Sequence, residues 1–194
     1  MSDLYSKEEL RKMGVIIGDN VRINRTCQFY GGNIQIGENV RIDNFCVITS
    51  NKPVVIGNNV HISVGGSLFG EAGIIIEDFC GLSARCSIFS ASDDYSEGYL
   101  TNPCIPDDYK KIRKSQVKLC KHVIIGCGSV VLPGVTIGYG ASIGALSLVN
   151  KNIPDFLIVS GVPARKIGVR NSIRLMELEK KYETDFRDRK KNKI

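Results

Sequence analysis

Ile125-Gly126-Cys127-Gly128-Ser129-Val130-Val131-Leu132-Pro133-Gly134-Val135-Thr136-Ile137-Gly138 is the stretch that decides the fold. In it Ile125, Val131 and Ile137 fall six residues apart, and two residues before each stands Val123, Ser129 or Val135, all small or β-branched. Residues i and i−2 of an extended strand point the same way, so each pair faces inward and the residue between faces out. Gly126 and Gly138 follow the beat, where the chain leaves a short strand. A six-residue period matches neither the 3.6-residue helical repeat nor its small multiples, which excludes an amphipathic helix.

Outward from this stretch the beat runs through Ile17, Ile23, Phe29; Ile36, Ile42, Ile48; Ile56, Ile62, Leu68; Ile76, Leu82, Ile88; Leu119; and Ile143 and Val149. Seventeen of the eighteen positions are Ile, Leu or Val, which fill 53 of the 194 residues, where chance would give about five. The beat resets by one or two residues after Phe29, Ile48 and Leu68. The unit is therefore three short sides, one coil of a three-sided solenoid. Such repeats indicate a parallel β-helix, each coil burying its apolar sides against the next.

The length suits one domain with an adequate core. No apolar run approaches the roughly 20 residues that span a bilayer, and the start, with Glu8 and Glu9, is no signal peptide. A cytoplasmic protein is expected, without membrane association. The seven cysteines are an odd count, and Cys27, Cys46, Cys80 and Cys86 take inward solenoid positions, so they read as reduced packing residues. Without paired Cys-x-x-Cys spacing, no metal site is expected. The net charge of +6 suits polyanionic small substrates. No motif or aromatic-interleaved basic patch supports nucleic acid.

Ser6-Lys7-Glu8-Glu9 reads as a capping box opening a short helix that Gly14 closes and that lids the solenoid. The β-helix domain is read over 1–170, with a helical tail at 171–194 whose helix runs from Ser172 to about Arg189. Residues 89–118 carry no beat and form a long protruding loop. Loops of this length are uncommon unless functional.

The opening stretch, with Ile143-Gly144-Ala145 and Gly161-Val162-Pro163-Ala164-Arg165-Lys166, closely resembles the hexapeptide-repeat acyltransferases over about residues 15–170. Ser92-Asp93-Asp94-Tyr95-Ser96 and Thr101-Asn102-Pro103 resemble the branch that acylates dTDP-linked amino sugars. The resemblance implies an all-β fold, a left-handed parallel β-helix with short terminal helices, and a homotrimer with active sites between subunits. It also implies acyl-CoA, acetyl or longer, as donor. The hand comes from the resemblance alone, since the general crossover preference is right-handed.

Many O-acetyltransferases of this family carry a catalytic His where the loop starts; here stand Asp93 and Asp94, and His61 and His122 are the chain's two histidines. An alcohol needs a strong general base to attack a thioester. An amine attacks unaided, and its proton must leave only as the tetrahedral intermediate forms, which a carboxylate can accept. Asp93, or else Asp94, is the candidate base. In register, Ser83 stacks beneath Gly126 and Gly144, glycines read as leaving the outer wall bare for a pantetheine arm; Ser83 is then placed to hydrogen-bond the developing oxyanion. Similarity to the family puts the CoA phosphates and adenine near Ala145, Lys151, Arg165 and Lys166. Tyr95, Tyr99, Asn102 and His122 are candidate contacts for the nucleotide sugar, and Lys110, Lys111, Arg113 and Lys114 for its pyrophosphate. His61, between Val60 and Ile62, reads as an outward surface residue.

The expected function is acyl-CoA-dependent N-acylation of a nucleotide-linked amino-deoxysugar such as dTDP-4-amino-4,6-dideoxyglucose. The alternative is a sugar O-acetyltransferase of polysaccharide or O-antigen biosynthesis using His122. A hexapeptide-repeat carbonic anhydrase needs three zinc-binding histidines and fails on the count.

Overall fold

A computed structural model describes residues 3–191, with side chains through Phe186. Position 193 and its neighbours at the end of the expected tail lie outside the described residues. The short strands alternate among three parallel sheets, one along each side of a triangular column. The first face stacks Val15–Ile17, Ile34–Ile36, Val54–Ile56, Ile74–Ile76, Val117–Leu119 and Thr136–Ile137. The second stacks Arg22–Ile23, Arg41–Ile42, His61–Ile62, Gly81–Leu82, Ile124–Ile125, Ser142–Ile143 and Leu157–Ser160, closed by the antiparallel Arg165–Val169. The third stacks Gln28–Tyr30, Val47–Ser50, Ser67–Gly70, Ser87–Phe89, Val130–Val131 and Leu148–Val149.

The register is the six-residue beat made physical: Ile42 lies beside Ile62, Ile62 beside Leu82, Leu82 beside Ile125, and Ile125 beside Ile143. Every beat residue is buried except Ile17 and Phe29, which belong to the first coil and are half-buried. Cys27, Cys46, Cys80 and Cys86 are buried free thiols, and no cysteine is in a disulfide among the described residues. Helix α1, Lys7–Lys12, has the expected reciprocal cap, Ser6 Oγ accepting from the Glu9 amide and Glu9 from the Ser6 amide. It lowers Leu10 into the open end of the core. Gly14 follows at φ +74, where a Cβ would meet the Gly32 backbone at 2.6 Å.

Helix α2, Ser172–Lys191, ends slightly beyond the Arg189 read from sequence. No described helix is long and apolar enough to cross a membrane. The expected loop is an ordered arm. Phe89 and Val117 still belong to the solenoid, and between them Ala91–Asp93 pairs antiparallel with Ile112–Lys114 above a 3-10 turn at Asp107–Tyr109. The arm lacks the beat because it leaves the column and has no coil above or below to bury against.

Candidate active site

The arm is held in shape by Asp94. Its Oδ1 accepts from the Ser96 amide at 3.0 Å and the Ser96 hydroxyl at 2.6 Å, and its Oδ2 from Arg113 at 2.9 and 3.0 Å. The residue is 2% exposed. The Ser96 hydroxyl and amide, with Arg113, hold its carboxyl far below the usual range despite some burial. With both of its oxygens engaged, Asp94 is the less available of the two carboxylates for a substrate proton. The catalytic role read for Asp94 is therefore replaced by a structural one, fastening the two strands of the arm.

Asp93 ends the strand Ala91–Asp93, and Asp94 follows just beyond it. Both aspartates line a cleft of about 500 Å³ with Tyr95, Arg113, Lys114, Leu132, Pro133 and Asn150. Asp93 Oδ2 accepts from the Asn102 amide at 3.0 Å, and Asn102, at φ +81, turns its own side-chain oxygen to the Cys104 amide at 2.9 Å. Asn102 thus positions Asp93 through its backbone, while Tyr95 is exposed at the cleft. Tyr99 lies outside the cleft lining, beneath the Lys111 ammonium at 5.7 Å. Leu132, Pro133 and Asn150 escaped sequence reading because their proximity to the arm is set by coil stacking.

The cations expected to meet a pyrophosphate each stand in an ion pair. Lys110 pairs with Asp107 at 3.1 Å, Lys111 with Glu97 at 2.7 Å, Arg113 with Asp94 at 2.9 Å and Lys114 with Glu71 at 2.6 Å.

Ser83 stands at the corner where the second face ends, half-buried, its amide donating to Ile125 O at 2.9 Å. Gly126, Gly144 and Ser160 follow it one per coil, and Ser160 pairs with Arg165. At about 4.8 Å per strand this line runs about 19 Å from Ser83 to Arg165. The glycines in it have another reason than the one read from sequence. A Cβ on Gly126 would meet the Ala145 amide nitrogen at 2.4 Å and the Gly144 carbonyl carbon at 2.7 Å, and one on Gly144 the Ser160 side chain at 2.6 Å. Their missing side chains would point along the stack, so they allow coils to close on each other. Ala145 is exposed beside the line, and Arg165 and Lys166 lie exposed at its end. Lys151 does not join them: it follows the third face, next to Asn150 of the arm cleft.

Ser83 and Asp93 occupy different corners. The third-face segment from Cys86 to Ser90 separates them, five extended residues at about 3.3 Å each, so about 17 Å. Within one chain this side of the column keeps the two groups apart.

His122 is likewise removed from the arm cleft, at the corner between the first and second faces. It stacks on Phe79 with ring centroids 4.9 Å apart, lies edge-on to Tyr139, and is 7% exposed under α2. Its Nε2 is 3.0 Å from Glu179 Oε2, at ion-pair distance but without hydrogen-bond alignment. The substrate contact and the catalytic alternative read for His122 give way, within the chain, to packing that seats the helix.

Glu179 is the anchor of that helix, meeting Lys121, His122 and the Tyr139 hydroxyl. Burial works to raise its carboxyl, but the Lys121 ammonium, the Tyr139 hydroxyl and the adjacent His122 ring outweigh this and hold it at about 2, below the ordinary 4.5. A folded-state value below the unfolded one gives stability that is present above about 4.5 and lost as pH falls toward 2. Glu179→Gln should therefore lower the melting temperature at pH 7 by on the order of 5 °C, for about 2 kcal/mol. In calorimetry the difference from wild type should shrink steadily below pH 4.5. A gap that persisted unchanged to pH 2 would refute the charged anchor.

A three-sided parallel β-helix with an arm carrying a cleft-lining carboxylate, and no cluster of metal-ligating groups among the described residues, defines the class of hexapeptide-repeat acyltransferases. The chain belongs to this family, in the branch of dTDP-amino-sugar acyltransferases. It is 42% identical over 174 residues, 88% of this chain and 90% of the relative, to the dTDP-4-amino-4,6-dideoxy-D-glucose acyltransferase of Escherichia coli. It also matches AntD, an N-acyltransferase from Bacillus cereus. The complex of that enzyme with dTDP and 3-hydroxybutyryl-CoA superposes with a TM-score of 0.89 at 40% identity, covering 96% of this chain and all of that one. Its serine-to-cysteine variant, bound to dTDP-4-amino-4,6-dideoxyglucose and coenzyme A, superposes at 0.87 over 95% and 99%. No family model matches the chain.

Proposed function

We propose that the protein transfers an acyl group from acyl-CoA to the amino group of a dTDP-linked amino-deoxysugar, with dTDP-4-amino-4,6-dideoxyglucose as the leading candidate. The observation that carries this is the arm: where a general-base histidine would serve a hydroxyl, it has a cleft-lining carboxylate whose Oδ1, on Asp93, has no partner among the described residues. A carboxylate suits an amine, whose proton becomes acidic only after attack. AntD supports the reading in a second way. Its solved variants alter a serine and an aspartate ten residues apart, the spacing of Ser83 and Asp93 here.

The active enzyme is a homotrimer whose sites lie between subunits, Ser83 from one and Asp93 from its neighbour. The separation of the two corners within a chain supports this arrangement. Ser83 orients the thioester carbonyl, and acyl-CoA runs up the line toward Ala145, Arg165 and Lys166. As the amine attacks, the carbonyl electrons move to oxygen, Asp93 accepts the ammonium proton, and collapse expels the CoA thiolate. Seven free cysteines suit a reducing compartment, the cytoplasm. The β-helix body at 1–170 and the tail at 171–194 act as one unit through Glu179.

Thiol release from acyl-CoA is expected with dTDP-4-amino-4,6-dideoxyglucose and not with its 4-hydroxy counterpart. Equal turnover of the two acceptors would reject the N-acyltransferase reading in favour of O-acetylation.

A further inference from the structure

With each of the arm's cations paired to a carboxylate, a nucleotide diphosphate calls for further cations with donor hydrogens to spare. On the outer side of the second face Arg22, Arg41 and His61 stand directly in line, one per coil, and the next position in that line is Gly81. All three side chains are exposed. Two of them share one carboxylate: Asp43, 19% exposed, accepts from Arg41 Nε at 2.6 Å and lies 2.8 Å from His61 Nε2.

Asp43 orients both partners without exhausting them. Arg41 keeps its two Nη groups free, His61 keeps Nδ1, and Arg22 makes no ion pair among the described residues. A guanidinium with free Nη hydrogens offers the planar fork that grips phosphate oxygens in pairs. Above this ladder Gly81 leaves an opening: an added Cβ would find nothing nearer than Ile124 Cγ1, at 4.0 Å. Unlike Gly126, Gly81 is therefore not required by coil packing. Two residues along the same strand side stands Ser83, about 8 Å from His61 across the diagonal.

Resting on the function proposed above, we infer that the Arg22–Arg41–His61 ladder, set by Asp43, is the binding site for the diphosphate of the nucleoside diphosphate sugar. The acceptor then lies over the early coils and the acyl donor over the late ones. They meet at Ser83, with the sugar passing through the opening at Gly81.

Coenzyme A carries a diphosphate too, so the test has two arms. Calorimetric titration of dTDP and, separately, of CoA should be run on wild type, on Arg22→Ala/Arg41→Ala and on Gly81→Val. Both variants alter exposed or open positions, and their circular dichroism should match wild type. The expected result is a dTDP Kd raised about ten-fold or more in the arginine variant, clearly raised in Gly81→Val, and a CoA Kd unchanged in both. Unchanged dTDP affinity in the arginine variant would overturn the site, as would a loss confined to CoA. Wild type that binds CoA but not dTDP would overturn the functional reading itself.

Discussion

Asp93→Ala is expected to lower kcat by about 10²-fold or more, the usual scale of general-base catalysis, with little change in CoA affinity. Ser83→Ala should cost less, about ten-fold, if it supplies one hydrogen bond that strengthens in the transition state. Asp94→Ala should behave differently from both. Removing it frees Arg113 and Ser96 and loosens the arm, so the acceptor KM should rise more than kcat falls. Steady-state kinetics that put the larger kcat loss on Asp94 would reverse the assignment. The separation of Ser83 from Asp93 adds a sharper arm to the experiment. When subunits of the two alanine variants are unfolded together and reassembled, one site in three of every mixed trimer regains both groups. Activity should rise above either parent; failure to rise would place both groups in one chain's site or outside the reaction.

The second large effect is on folding. Gly126→Val should destabilise the protein by about 3 kcal/mol or more and lower its melting temperature by roughly 10 °C. The reason is that the Cβ meets backbone atoms of Gly144 and Ala145 at 2.4 to 2.8 Å. No flexible side chain can yield there; the coils would have to separate. A Gly126→Val protein that melted like wild type and lost only CoA affinity would restore the view that the glycine keeps a groove clear. The same comparison explains why Gly81→Val is a fair probe of binding: two glycines on one face, one facing a backbone and one facing open space.

The solenoid was legible because each coil repeats the same burial problem. Ile62, Leu82 and Ile125 each need a neighbour directly above and below, so the requirement is written every six residues and survives without knowledge of distant contacts. The capping box at Ser6 was legible for a similar reason, since both partners are three residues apart. The arm was legible only as an interruption. Its hairpin pairs Ala91–Asp93 with Ile112–Lys114, and nothing periodic marks a two-stranded ribbon with solvent on both sides.

Site residues divide along the same line. Residue type and strand parity were enough to put Ser83 in line with Gly126 and Gly144. Which aspartate is free was a matter of partners nineteen residues away, Arg113 against Asp94. His122 turned out to seat α2 because Glu179, remote in sequence, lies against it, and Arg41, Asp43 and His61 were an unremarkable scatter of surface polar residues until stacking set them side by side. By itself the sequence determined the repeating coil, its inward residues and the family, because these depend on local periodicity and short motifs. Only the tertiary structure decided which charges are spent on one another and which remain free, because ion pairing depends on proximity in space and desolvation, and neither is encoded in the order of residues along one strand.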